Sequence, residues 1–166
     1  MPATYEPIAT TTLGSAASTI TFSSIPGTYT DLRLVLVPTV ASGTGYLFMR
    51  FNSNSATNYS LTEMYGTGSS VFSGRSTSQT EINLTNNGLG VTTTPHLYTV
   101  DIFSYAGSTN KTCLITASED QNGSGYVISQ VGLWRQTSAI TSISFTSSGS
   151  NYATGTTATL YGILKA

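Results

Sequence analysis

The chain predicts an all-β protein: a single-domain, two-sheet β-sandwich, jelly-roll-like, of about nine or ten strands. Three observations carry that prediction. Apolar residues recur with period 2, and no segment holds i, i+3, i+4 apolar spacing over three turns. Gly, Asn and Ser break the apolar runs at the short, regular intervals typical of sandwiches and barrels. A length of 166 residues suits one domain with its own core.

Taken in order, "STITF" sets Ile20 and Phe22 on one face. "DLRLVLV" sets Leu32, Leu34 and Leu36 toward a core and leaves Arg33, Val35 and Val37 outside. "YLFMRFN" sets Leu47, Met49 and Phe51 against Tyr46, Phe48 and Arg50. If these two strands pair, Arg33 and Arg50 share an outer face whose apolar neighbours suit contact with another sheet or subunit. "QTEINL" groups Ile82 with Leu84; "HLYTVDIFSY" and "TCLITAS" follow, separated by "AGSTNK", which has loop composition. "GYVISQVGLW", "AITSISFT" and "ATLYGIL" complete the set. Asn87-Gly88 and Asn122-Gly123 are two-residue hairpin signals. The Gly/Ser-rich stretch Tyr65 to Thr80 reads as an exposed loop or an edge strand. Residues 1–14, with Pro2 and Pro7, read as an extended N-terminal arm able to drape over a neighbour, and 15–166 as the sandwich.

Composition narrows the function. Charged residues are 8% of the chain and net charge is −1, while Ser and Thr supply roughly a third of it. Ten Tyr and six Phe exclude the disordered class. No basic stripe exists to track phosphates, so nucleic acid is not an expected partner. No apolar run reaches membrane-spanning length, and no basic and apolar leader opens the chain. A hydroxyl-rich surface of low charge fits Thr-coated strands and surfaces covered by neighbours in an assembly. Cys113 is alone in "KTCLIT" and reads as a buried, inert thiol. Four N-x-S/T matches, at Asn58, Asn83, Asn110 and Asn122, read as coincidence in an Asn/Ser/Thr-rich chain.

No enzyme chemistry is expected. A Ser-His-acid triad needs a histidine base, and His96 stands without a nucleophile elbow anywhere in the chain, so it reads as structural. Glu119 and Asp120, being adjacent on a strand, point to opposite faces, and the acids Glu6, Asp31, Glu63, Glu81, Asp101, Glu119 and Asp120 together read as a scattered, solvated set. "DQNGSG" imitates the front of a calcium loop, but Val131 stands where the bidentate acid belongs. One His and one Cys make no zinc site, and no phosphate loop is present. No catalytic residue, metal or cofactor is therefore assigned. The aromatics Tyr59, Tyr65, Tyr98, Tyr105, Tyr126, Tyr152 and Trp134 are ordinary sandwich filling. Tyr59 and Tyr65 flank the long loop and are the best contact candidates among them.

The phrases "TTTLGSAASTITFSSIPGTYTDLRLVLV", "YLFMRFNSNSATNYS", "DIFSYAGSTNKT", "VGLWRQTSAITSISF" and "GTTATLYGI" resemble a family of small, Ser/Thr/Gly-rich tailed-phage virion proteins. The likeness runs through nearly the whole chain in the same order, on "IP-x-x-Y-T-D-L", an "RFN…NYS" block and a closing "LYGI". It implies a virion structural protein, assembled in the bacterial host cytoplasm. The expected role is capsid decoration (cement): a homotrimer seated on the phage major capsid protein. Tail-borne host recognition, with a glycan bound through Tyr59, Tyr65 and Tyr152, is the alternative. The expected interface residues are Tyr5, Arg33, Arg50, Tyr59, Tyr65 and Tyr152, without membrane or nucleic acid.

Overall fold

A computed structural model describes residues 5–85, 88–90, 94, 96–120 and 122–164; among these there is no helix. Eight strands form one antiparallel sheet, ordered β1 (Tyr5–Thr12), β13 (Thr157–Ile163), β3 (Asp31–Val37), β9 (Leu97–Phe103), β10 (Lys111–Asp120), β11 (Gly125–Trp134), β5 (Tyr59–Gly66), β6 (Val71–Gln79). The smaller sheet runs β2 (Thr19–Phe22), β12 (Ile143–Ser148), β4 (Thr44–Phe51), β7 (Ile82–Asn83), and β8 (Leu89–Gly90) pairs with β4. The molecule is an all-β two-sheet sandwich. The thirteen strands among the described residues exceed the expected number because β1 comes from the expected arm, β5 lies where no strand was expected, β6 forms from the stretch read as a loop or edge strand, and β8 is a two-residue pairing.

The period-2 reading places the core correctly. Leu32, Leu34 and Leu36 on β3, and Leu47, Met49 and Phe51 on β4, are all buried, as are Ile20, Phe22, Ile82 and Leu84. Fully burying each such side chain is worth about 1.5–3 kcal/mol. Cys113 is buried as expected, and burial pushes its thiol up to about 12, away from thiolate chemistry.

Three expectations change. Residues 5–12 of the expected arm are β1, paired along β13, with a register shift between Pro7 and Ala9. Proline is tolerated there because β1 is an edge strand. Residues 1–4 lie outside the described residues. Second, β3 and β4 do not pair: they belong to different sheets, so Arg33 and Arg50 lie on opposite outer faces of the sandwich. Third, Asn122-Gly123 does turn a hairpin, between β10 and β11, but register Asp120↔Gly125 leaves a four-residue loop. Asn87, half of the other hairpin signal, lies outside the described residues.

The phrases carrying the family resemblance do architectural work. In "IPGTYTDL", the Pro26 carbonyl accepts the Tyr105 hydroxyl, and the Asp31 carboxylate accepts the Ser104 N–H at 2.7 Å. The Tyr29 ring lies flat over Gly162 of "LYGI", so a Cβ at Gly162 would sit 2.3–2.5 Å from ring carbons. Asn52 of "RFN" donates to the Ala139 carbonyl at 2.8 Å and accepts from the N–H groups of Thr141 and Ser142. Gly162→Ala should therefore lower stability by about 1–3 kcal/mol through overpacking. Urea unfolding should show the loss shrinking in a Tyr29→Ala background; equal losses in both backgrounds would remove the Tyr29–Gly162 contact as the cause.

Lys111 is the unanticipated core residue. It is fully buried, and its Nζ donates to the carbonyls of Gly107 (2.6 Å), Thr109 (2.5 Å) and Thr137 (3.4 Å). Carbonyls from two loops thus replace the water that burial removes, while desolvation still pulls the ammonium pKa down.

Candidate functional site

The eight-stranded sheet buries one face against the smaller sheet and leaves its other face open. Register carries a single row across that open face: Tyr161, Arg33, Asp101, Leu114, Val131, Thr62, Arg75. Arg33 and Asp101 close a bidentate pair, Nε–Oδ1 at 2.5 Å and Nη2–Oδ2 at 2.6 Å. The guanidinium is thus committed within the chain. An exposed pair of this kind adds at most about 1 kcal/mol, so its clearer effect is to neutralise the row's centre. Tyr5 of β1 packs tilted against Tyr161 beside it, ring centroids 4.8 Å apart.

Toward β5 the face turns apolar. Met64, Leu97, Phe103, Leu114, Val127 and Val131 are all exposed here. Thr62, Thr99, Thr112, Thr116 and Ser129 fill the positions between them by strand alternation. Contiguous exposed apolar surface with little charge marks a contact surface rather than a solvated one. Six strands of hydrogen-bonded backbone stand beneath it, from β13 to β5, so the surface is rigid before any partner arrives.

The expected interface residues separate accordingly. Tyr5 and Arg33 lie on the open face. Arg50, on the opposite side of the sandwich, pairs with Glu81 at 2.9 Å and donates to the Thr80 carbonyl at 3.3 Å. Tyr59 and Tyr152 are fully buried and present nothing to a partner, which removes both as contact residues. The sequence carries no strand pattern over residues 59–64, so the burial of Tyr59 at the end of β5 against Phe51 of the smaller sheet is not legible there. Tyr65 is half-buried and stacks on Phe72 at 4.8 Å on the inner side of the β5–β6 hairpin. Glu63 lies nearby, accepting from Gln130 Nε2 at 3.1 Å.

A second cluster lies at the β10–β11 end of the core. Its His96 Nδ1 sits 2.9 Å from Glu119 Oε2 and 3.3 Å from the Tyr126 hydroxyl, which meets the Tyr98 hydroxyl at 3.1 Å. Burial pushes His96 down to about 4 and Tyr126 up to about 12, and it raises Glu119 against the opposing hydrogen bond from Tyr126. Glu119 is therefore buried and paired, not one of a solvated set. A triad would need a hydroxyl at Nε2, yet that atom is buried with no hydrogen-bond partner among the described residues. Glu119 and Tyr126 also line an open cleft of about 860 Å³ beside Thr67, Ser69, Asp120 and Ser124. Among the described residues no group of three or more His, Cys, Asp or Glu could hold a metal. Asp120 instead accepts the Asn122 N–H at 2.8 Å, bracing the turn that mimics a calcium loop.

No family model matches the chain, and no curated protein matches it. Among solved structures it is similar to Caenorhabditis elegans galectin LEC-6 at 15% identity. That likeness covers 91% of this chain and 94% of that one, with a TM-score of 0.38.

Proposed function

We propose that the protein is a structural component of a tailed-phage virion, of the capsid-decoration class, seated on the major capsid protein. The observation that carries this reading is the open face of the eight-stranded sheet: rigid, apolar toward β5, with Arg33 neutralised by Asp101. Such a face suits broad, dry contact with a flat protein surface, and the resemblance in the sequence phrases supplies the context. The mechanism is mass action: the decoration binds only the assembled shell and so stabilises it. A homotrimer would match the three-fold axes of a capsid. No chemical step is involved.

Quantitative mass spectrometry of the virion should return hundreds of copies, and purified protein should load onto expanded capsids. Leu114→Asp combined with Val131→Asp should abolish loading while the far-UV spectrum stays unchanged, because both side chains are already in solvent. A copy number near a dozen would overturn decoration. It would favour tail-borne host recognition, which the half-buried Tyr65 stacked on exposed Phe72 beside Glu63 supports as a sugar platform. Glycan-array binding that vanishes in Tyr65→Ala would decide for that second reading.

A further inference from the structure

The larger sheet has two free edges, and they differ. The β1 edge carries Pro7 and a register shift beside it, both of which obstruct strand pairing. The β6 edge runs regularly from Val71 to Ser76, carries no proline and holds one charge, Arg75. A long unprotected edge of this kind is a template for another strand.

We propose that β6 pairs antiparallel with β6 of a second copy across a two-fold axis at Ser73, joining the two larger sheets into one. The hydrogen-bond phase puts the axis on a residue rather than between two, and the side chains choose Ser73 among them. The Thr67 N–H bonds the Ser70 carbonyl at 3.0 Å around a two-residue turn, with Gly68 at φ 83. Alternation along an antiparallel pair then turns the N–H and C=O of Phe72, Gly74 and Ser76 toward β5. Those of Val71, Ser73 and Arg75 face the free edge. These three positions are symmetric about Ser73, so a second copy would pair Ser73 with Ser73 and Val71 with Arg75.

Side chains agree with that register. Phe72, stacked on Tyr65 and still 46% exposed, falls opposite Gly74 of the other copy. A ring covering a cross-strand glycine is a recognised stabilising arrangement in sheets. Val71, 76% exposed, lies opposite the aliphatic stem of Arg75, and the two arginines never face each other. A centre at Arg75 would set like charges directly opposite, and centres at Phe72 or Gly74, though they keep the hydrogen-bond phase, would set Phe72 opposite Phe72 or Ser76 in place of a glycine. The pairing stops where the register shifts near Ser78, whose φ is 55. This contact uses neither the apolar outer face nor the capsid, so it holds whether or not the protein decorates one.

Sedimentation equilibrium tests it on the purified full chain. Wild type should reach twice the mass of Ser73→Pro, whose lost N–H faces the free edge and not β5. Unchanged far-UV circular dichroism would show that the variant stays folded. Equal masses for the two proteins at high micromolar concentration would overturn the proposal, and so would association that Ser73→Pro leaves intact. Register is read by charge. Val71→Lys, set against Arg75, should weaken dimerisation about five- to tenfold, Val71→Glu should tighten it, and Val71→Lys with Arg75→Glu should restore it. Equal effects of lysine and glutamate at position 71 would also overturn it.

Discussion

Trp134→Ala is expected to remove about 3–5 kcal/mol of unfolding free energy. The indole is buried at the end of β11, stacked on Tyr59 at 6.2 Å and 18° and tilted against Phe51 at 5.5 Å and 54°. Phe51 belongs to the smaller sheet, while Tyr59 and Trp134 belong to the larger, so this trio ties the two layers together. Around it, the Tyr59 hydroxyl accepts the Phe51 N–H at 3.1 Å and donates to the Asn54 carbonyl at 3.1 Å. Strand ends and loops held this way have little freedom to collapse into the space an alanine leaves, which puts the cost in the upper range for large-to-small changes. Trp134→Phe is the discriminating partner. It keeps most of the ring contact and removes an indole N–H that is buried without a hydrogen-bond partner among the described residues. Its loss should stay below about 1.5 kcal/mol. Urea unfolding at unchanged m-value measures both. A loss under about 1 kcal/mol for the alanine variant would mean the cluster is not the tie between sheets.

Alternation in the sequence is enough to identify the faces of β2, β3 and β4, because each has one side against the opposing sheet and one side outward. It could not supply the order of strands. Arg33 reads as an interface arginine in its own segment, yet its partner Asp101 lies 68 residues away and meets it only because β3 and β9 are neighbours. Arg50 was grouped with Arg33 on the premise that consecutive strands pair, and the chain instead crosses to the other sheet between β3 and β4. The arm was misjudged for a related reason: both faces of an edge strand meet solvent, so β1 lacks the apolar alternation that announces a strand. Lys111 carries no local sign of burial, since the carbonyls that hold it come from two loops. The apolar row of the open face was present in "CLIT" and "SQVG" as Leu114 and Val131, but each is a single residue until the register of β10 on β11 sets them side by side.

Acid should destabilise the protein through His96. In the unfolded chain its imidazole takes up a proton near pH 6.5; in the folded protein, burial pushes that event down to about 4. Between these values the unfolded state binds more protons, so stability is full above about pH 6.5 and falls as the pH drops toward 4. The interval is worth at most roughly 3 kcal/mol. Glu119 works in the opposite sense. Its carboxyl is raised by burial, so the folded state takes up that proton early on acidification and recovers part of the loss. The geometry explains why the two do not cancel. His96 Nδ1 meets Glu119 Oε2 at 2.9 Å, but Nε2 is buried with no hydrogen-bond partner among the described residues, so the imidazolium form would carry an unsatisfied N–H there that protonating Glu119 does not relieve. Thermal unfolding from pH 7 to 4.5 should therefore show Tm declining in wild type. In His96→Gln, whose amide keeps a donor for Glu119 and does not titrate, the profile should be nearly flat. A Gln variant with the wild-type acid slope would place the acid sensitivity outside this buried pair.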